Sequence, residues 1–157
     1  MASRCESRRV ASTSPVLDDA RSDRGRRLRE RLRTDLVAWL TLVDNSGTPQ
    51  PAPLWFLWAD EAEQVVIYSQ PSARRLRWIE RSGRASLHLN DDGHGHGYLV
   101  MTGAVHRLRP DYPAADQNED FLSKYRPSMD SIFDGPATYA GAFSIPLVFN
   151  PHRARGH

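Results

Sequence analysis

Apolar and polar positions divide the chain into short segments, most of them the length of a β-strand. Residues 36–43 form an almost continuous apolar run that ends in the turn residues 44–47, Asp-Asn-Ser-Gly. This pattern predicts a buried strand followed by a tight reversal. Because most connections between such segments are as short as those of hairpins, we expect antiparallel pairing. The other predicted strands are 49–58, 64–69, 85–90, 98–109 and 143–150.

Helical periodicity is found in three further segments. Two leucines lie four residues apart within the Arg-rich segment 21–33, which predicts a helix with one apolar face. A short helix is predicted at 72–82, with Ser72 as its N-cap. A third helix is predicted at 114–126, whereas the pattern assigns no element to 127–141.

The six strands and the helices beside them predict a mainly β fold, a six-stranded antiparallel β-barrel. Residues 21–157 are expected to form this domain, and the polar residues 1–20 a disordered N-terminal tail. No apolar run approaches the roughly 20 residues needed to cross a bilayer, and the N-terminus lacks the apolar segment of a signal peptide. We therefore expect a cytoplasmic protein with no membrane partner.

Three prolines occupy alternate positions of the second predicted strand, at 49, 51 and 53. Alternate residues of a strand direct their N–H groups to the same side, so the three missing donors fall along one edge. That edge cannot be fully paired within a sheet. The spacing predicts an open strand edge, or a strand that leaves the sheet to approach a ligand.

Charge is unevenly distributed along the chain. Residues 1–33 hold ten arginines and five acidic residues, a net charge of +5, whereas the remainder carries −3. A basic arm can bind nucleic acid, but a solvated surface helix is the more ordinary interpretation, and no nucleic-acid partner is expected. The single cysteine, Cys5, excludes an intrachain disulfide framework.

The segment 68–78, YSQPSARRLRW, carries the strongest chemical signal. A predicted strand ends there in hydroxyl and amide side chains, and a predicted helix begins at once. Arginines at 74, 75 and 77 fall in its first two turns, where cations cost about 0.3–1 kcal/mol each. Because a helix N-terminus offers unpaired N–H groups and a positive dipole end, this arrangement indicates a phosphate site.

These segments together resemble the pyridoxamine 5′-phosphate oxidase-like superfamily. The likeness begins with residues 32–43 and 47–56 and extends over roughly residues 25–150. More narrowly, it resembles an actinobacterial branch that uses the deazaflavin coenzyme F420. The segments that continue the match in order are 67–71, 75–77, 84–89 and 144–147.

The resemblance implies a split β-barrel that forms a homodimer, with two cofactor sites at the subunit interface. The flavin or deazaflavin ring would then lie beside the second strand. The residues implied there are Gln50, Pro51, Ala52, Pro53, Leu54, Trp55 and Phe56. The residues implied around the phosphate are Ser69, Gln70, Ser72, Arg74, Arg75 and Trp78. The family often has lysine at the position of Arg75, and Asn-Leu at the position of Trp78 and Ile79.

The implied function is an oxidoreductase in which reduced F420 transfers hydride to a small unsaturated acceptor. An FMN-dependent oxidase or reductase of the same fold is an alternative, and so is a non-catalytic cofactor- or haem-binding protein. No catalytic residue is assigned, because solvent, His88 or Tyr98 could supply a proton. His94 and His96 lie in a Gly-rich loop, and no metal is expected, since a closed zinc site needs about four ligands.

Overall fold

The computed structural model describes residues 16–17 and 19–156, which form four helices and seven strands. The helices are α1 (Asp23–Thr34), α2 (Arg75–Arg81), α3 (Glu119–Ile132) and α4 (Pro136–Ala142). The strands are β1 (Ala38–Val43), β2 (Pro49–Leu54), β3 (Leu57–Ala59), β4 (Gln64–Ser69), β5 (Arg84–Leu89), β6 (Leu99–Arg107) and β7 (Ile145–Gly156).

All seven strands pair antiparallel in one sheet, in the order β2-β1-β5-β6-β7-β4-β3. The strands at the two edges of this sheet, β2 and β3, are separated along the chain only by Trp55 and Phe56. The sheet must therefore curl until its edges nearly meet, which makes a barrel that is split between β2 and β3. The mainly β, antiparallel fold that the pattern predicts is confirmed.

The second predicted strand, 49–58, is divided into β2 and β3, so the sheet has seven strands where the sequence predicts six. At the division, the Phe56 N–H donates to the Tyr125 hydroxyl at 2.8 Å, and the Phe56 carbonyl lies 2.9 Å from the same hydroxyl. A side chain of α3 thus takes the place of a neighbouring strand, and the ladder is interrupted there.

The open edge predicted from the prolines is found on β2. This strand pairs on one side only, with β1, and Pro49, Pro51 and Pro53 stand opposite Val43, Thr41 and Trp39. Because proline has no N–H, the amide donors to β1 must come from the alternate residues of the strand. The proline side of β2 is the unpaired side.

Two apolar clusters hold the domain together. The larger fills the barrel and includes Leu40, Phe56, Leu87 and Phe149, all of them fully or almost fully buried. Each such side chain contributes about 1.5–3 kcal/mol when removed from water. The second cluster is aromatic and joins the outside of β4 to α3 and α4.

The basic arm is tied to the barrel by α1, which confirms the helix predicted at 21–33. Leu28 and Leu32 are buried against the core. Arg29 pairs with Asp60 and Glu63 of the turn between β3 and β4, at 3.5 and 3.3 Å. The uneven charge of the sequence therefore brings a basic helix onto an acidic turn.

Most of the predicted tail, including Cys5, lies outside the described residues. The structure places two residues from this part of the chain against the domain. The Val16 N–H donates to a Glu63 carboxylate oxygen at 2.8 Å, and Leu17 is only 2% exposed. Among the described residues, no helix combines the length and the apolar character needed to span a bilayer.

Two predicted boundaries near the C-terminus differ from the structure. The helix predicted at 114–126 is α3, which starts after the N-cap Asn118 and runs through Pro127 to Ile132. Its buried residues Tyr125 and Met129 lie on either side of the proline and hold both turns in place. The last strand, predicted to end at 150, continues to 156 because residues 147–156 pair with β6.

Candidate functional site

The helix that follows β4 starts later than the sequence predicts. Ser72 is not its N-cap: α2 spans Arg75–Arg81, its N-cap is Arg74, and no side chain caps it. The intervening residues form turns instead, which agrees with the tendency of the Pro-Ser pair to favour turns. The predicted helix at 72–82 is therefore confirmed in type and corrected in its start.

The backbone amides of this turn are already partly used. Three N–H groups donate to carbonyls three residues earlier, at 3.1–3.2 Å: those of Ala73, Leu76 and Arg77. The predicted row of free N–H groups is not present at these positions. An anion site here must rest mainly on side chains.

Two cavities of about 280 Å³ each lie on either side of this turn and meet at Ala73 and Arg75. The arginine cavity lies between α2 and the β1–β2 pair. It is lined by Gln50, Pro51, Ala52, Arg74, Arg75 and Trp78, together with two leucines of β1 and Ala73. The aromatic cavity lies between the end of β2, the end of β4 and the helices α3 and α4.

Eleven of the thirteen residues proposed for the site line these two cavities. Besides those of the arginine cavity, the aromatic cavity is lined by Pro53, Leu54, Trp55, Ser69 and Gln70, and Arg75 belongs to both. Ser72 is exposed and lines neither cavity. Phe56 is fully buried in the barrel core and lines neither cavity.

One wall of the aromatic cavity comes from residues 127–141, to which the sequence pattern assigns no element, and from Phe143, the first residue of the last predicted strand. Phe133, Tyr139 and Phe143 line it, with Ile132 at 66% exposure. Tyr139 stacks on Phe143 and on Trp55, with ring centroids 4.6 and 4.8 Å apart. The aromatic spacing in 133–143 is the signal that could have found this wall.

Arg75 is the charged group at the junction of the two cavities. It is partly buried, and burial lowers the pKa of its guanidinium. Within the described part of the chain, no Asp or Glu lines either cavity and no carboxylate pairs with Arg75. The junction therefore presents a desolvated cation without an anion.

Ser69 brings a second polar group to the aromatic cavity. It is the last residue of β4, is only 2% exposed, and its hydroxyl donates to the Gln70 carbonyl at 3.3 Å. This bond is long, so a ligand oxygen in the cavity could compete for the same proton.

Neither of the side chains considered as a proton source, His88 and Tyr98, lines the arginine cavity or the aromatic cavity. His88 stacks on Trp39 across β1 and β5, with ring centroids 6.4 Å apart, and Tyr98 precedes β6. Trp39 is only half-buried. Trp58 is buried in the barrel cluster, and its indole N–H donates to Asp60 at 2.8 Å.

The loop that carries His94 and His96 is held by its own aspartate. The backbone N–H groups of both histidines donate to the Asp92 carboxylate, at 2.9 and 3.2 Å. Within residues 16–17 and 19–156, no three His, Cys, Asp or Glu side chains are grouped so that they could hold a metal ion.

Several solved structures have a similar fold, and the proteins are named for different ligands. An F420 reductase is 23% identical over 81% of this chain and 94% of its own, with a TM-score of 0.62. A FAD-binding protein from Mesorhizobium loti is 19% identical over 80% of this chain and 88% of its own, with a TM-score of 0.56. HutZ, a haem storage protein from Vibrio cholerae, is 13% identical over 82% and 92%, with a TM-score of 0.55. At these identities the likeness shows the fold.

A search of curated proteins finds no match. A family model does match: the one described as pyridoxamine 5′-phosphate oxidase covers residues 25–138, well over half of the chain. This span runs from α1 into α4. It contains the turn between β4 and α2, the arginines that line the two cavities, and the strand that is divided into β2 and β3. The chain therefore belongs to the pyridoxamine 5′-phosphate oxidase family.

Proposed function

We propose that the protein is a cytoplasmic oxidoreductase that binds coenzyme F420 and uses its reduced form to transfer hydride to a small unsaturated acceptor. The observation that carries this proposal is Arg75, a partly buried cation at the junction of two cavities, neither of which is lined by a carboxylate among the described residues. A desolvated charge is costly unless it meets an opposite charge. An anionic ligand at the junction would supply it.

The two cavities suit the two ends of such a cofactor. Arg74, Arg75 and Gln50 line the arginine cavity and can bind phosphate oxygens; arginine binds them as a fork of donors. Trp55, Phe133 and Phe143 give the other cavity apolar walls suited to a planar ring. These walls would shield the ring from water, while a bound cofactor would supply the hydride.

The alternative ligands, FMN and haem, require different residues in the cavities. FMN also joins a phosphate to a planar ring, so an FMN-dependent oxidase or reductase uses the same residues. A haem carrier needs an axial ligand such as histidine, and among the described residues no histidine lines either cavity. The motif resemblance and the F420 reductase at 23% identity favour F420 over FMN.

We also propose a homodimer. Leu36, Val37 and Val43 are exposed apolar residues at the two ends of β1, and a subunit contact would remove them from water. Sedimentation equilibrium should give twice the chain mass of 17.8 kDa. A monomer at micromolar concentration would contradict this part of the proposal.

Titration of the purified protein with F420 and with FMN, followed by absorbance and fluorescence, tests the cofactor. We expect F420 to bind more tightly, and its reduced form to be reoxidised by menadione, a conjugated quinone, faster with the protein than without it. Tighter binding of FMN supports the FMN alternative. Tight binding of either without turnover supports a carrier, and binding of neither contradicts the proposal.

A further inference from the structure

Three buried tyrosines lie in the aromatic cluster, and two of their hydroxyls are used inside the protein. The Tyr68 hydroxyl donates to the Pro113 carbonyl at 2.8 Å and accepts from the Asn118 amide at 3.1 Å. The Tyr125 hydroxyl bonds the backbone of Phe56, as described above. Both hydroxyls have structural partners that account for their burial.

The hydroxyl of Tyr139 differs from these two. No hydrogen bond joins it to any other residue that the structure describes, although the side chain is 98% removed from solvent, with 2% exposure. Every fully enclosed side-chain oxygen or nitrogen among the described residues has a partner. The Tyr139 oxygen is therefore not enclosed, and the open space that this residue lines is the aromatic cavity.

The ring that carries this hydroxyl is held firmly. Tyr139 stacks on Trp55 at 4.8 Å and on Phe143 at 4.6 Å, and Phe133 packs edge-on at 5.1 Å. Burial raises the pKa of the Tyr139 hydroxyl above its usual value, so the group keeps its proton throughout the physiological range. A fixed, protonated and unpartnered hydroxyl is a preorganised hydrogen-bond donor.

We propose that the Tyr139 hydroxyl is a ligand-contacting donor that selects, for the aromatic cavity, a planar conjugated ring with an oxygen or nitrogen acceptor at its edge. This inference rests on the proposed function and extends it. The ring could belong to the cofactor or to the electron acceptor, and both have carbonyl oxygens of this kind. Arg75, at the junction of the two cavities, would bind the anionic end of the cofactor.

Tyr139→Phe tests the inference, because it removes one atom and keeps the ring stack. We expect calorimetric titration of the full-length variant to give binding that is roughly three- to tenfold weaker than wild type, as for one neutral hydrogen bond. F420, FMN and menadione are the probes, and the one that is weakened identifies the ring that meets the hydroxyl. Tyr112→Phe, which lies outside the cavity, should leave every affinity unchanged.

A stability measurement makes the result independent of turnover. Because Tyr139 has no protein partner for its hydroxyl, Tyr139→Phe should unfold in urea at the wild-type midpoint. Unchanged affinity for all probes that the wild type binds, or a loss of stability comparable with that of Tyr125→Phe, would overturn this inference alone. Binding of no probe by the wild type would overturn the proposed function as well, which separates the two failures.

Discussion

Lys124 and Tyr125 are neighbours on α3, and together they close the break between β2 and β3. The Lys124 ammonium donates to the carbonyls of Leu32 and Phe56, at 3.3 and 3.0 Å, and lies 3.8 Å from the centre of the Phe56 ring. The Tyr125 hydroxyl lies 2.8 Å from the Leu36 carbonyl and bonds the Phe56 backbone. Two side chains thus satisfy the Phe56 backbone groups that a continuous strand would have paired.

Tyr125→Phe should destabilise the protein by about 1–3 kcal/mol, the usual cost of leaving a buried backbone group unsatisfied. The Phe56 N–H would lose its acceptor, since its present partner is the hydroxyl at 2.8 Å. Urea unfolding at neutral pH measures the loss. The matched control is Tyr139→Phe, whose free energy of unfolding should differ from that of the wild type by no more than about 0.5 kcal/mol. Equal losses of stability in the two variants would contradict the structural role of the Tyr125 hydroxyl.

Lys124 should make stability depend on pH in a window above neutrality. Burial lowers the pKa of its ammonium from 10.5 to about 8. Between these two values the unfolded chain binds more protons than the folded one, so stability from this group rises with pH. Below the pKa of the folded state, the ammonium is charged in both the folded and the unfolded chain, and this gain in stability is lost.

Lys124→Met removes this dependence and leaves all other titrating groups in place. The free energy of unfolding of the wild type, minus that of the variant, should increase between pH 7.5 and pH 9.5. Urea titrations at both values measure it, and Lys124 is the single lysine of the chain, so no other lysine contributes. A difference that stays constant or falls would show that the ammonium is not desolvated.

At the scale of elements, local signals predict the strands better than they predict helix ends. The apolar run in 64–69 and the turn at 44–47 act over a few residues, and β4 and the β1–β2 hairpin follow them. Ser72 carries an N-cap signal, yet the chain makes turns before α2 begins. Pro127 indicates a helix end, yet tertiary packing of Tyr125 and Met129 outweighs its cost.

Gly83 is the position where α2 passes into β5, and no larger residue fits there. Its φ is +66°, and an added Cβ would lie 2.6 Å from the Val105 carbonyl oxygen. Gly83→Ala should cost at least about 1–2 kcal/mol from the left-handed backbone alone. Thermal and urea unfolding measure it.

Gly141→Ala is the matched control in α4. An added Cβ there meets nothing within 4 Å, so alanine should stabilise the helix by about 0.5–1 kcal/mol. If both glycine variants changed stability in the same direction, the close approach between α2 and β6 would be in doubt.

At the scale of the whole molecule, the site lies where separate parts of the chain meet. The open edge of β2 and the turn after β4 are recognisable from proline spacing, from clustered arginines and from the family resemblance. The aromatic spacing in 133–143 indicates the wall formed by Phe133, Tyr139 and Phe143 but not its position, because only the folded positions of α3 and α4 bring it to Trp55. Burial of Arg75 is likewise a property of the fold.

The most direct test of the proposed cofactor site compares Arg75→Ala with Arg77→Ala. Both lie on α2, but only Arg75 is partly buried and lines the two cavities, whereas Arg77 is exposed. Titration with F420, and with FMN in parallel, should show Arg75→Ala binding roughly ten- to hundredfold more weakly, as for a lost hydrogen bond to a charged group. Arg77→Ala should bind like the wild type. Wild-type affinity in Arg75→Ala would contradict the claim that this residue receives the anionic end of the cofactor.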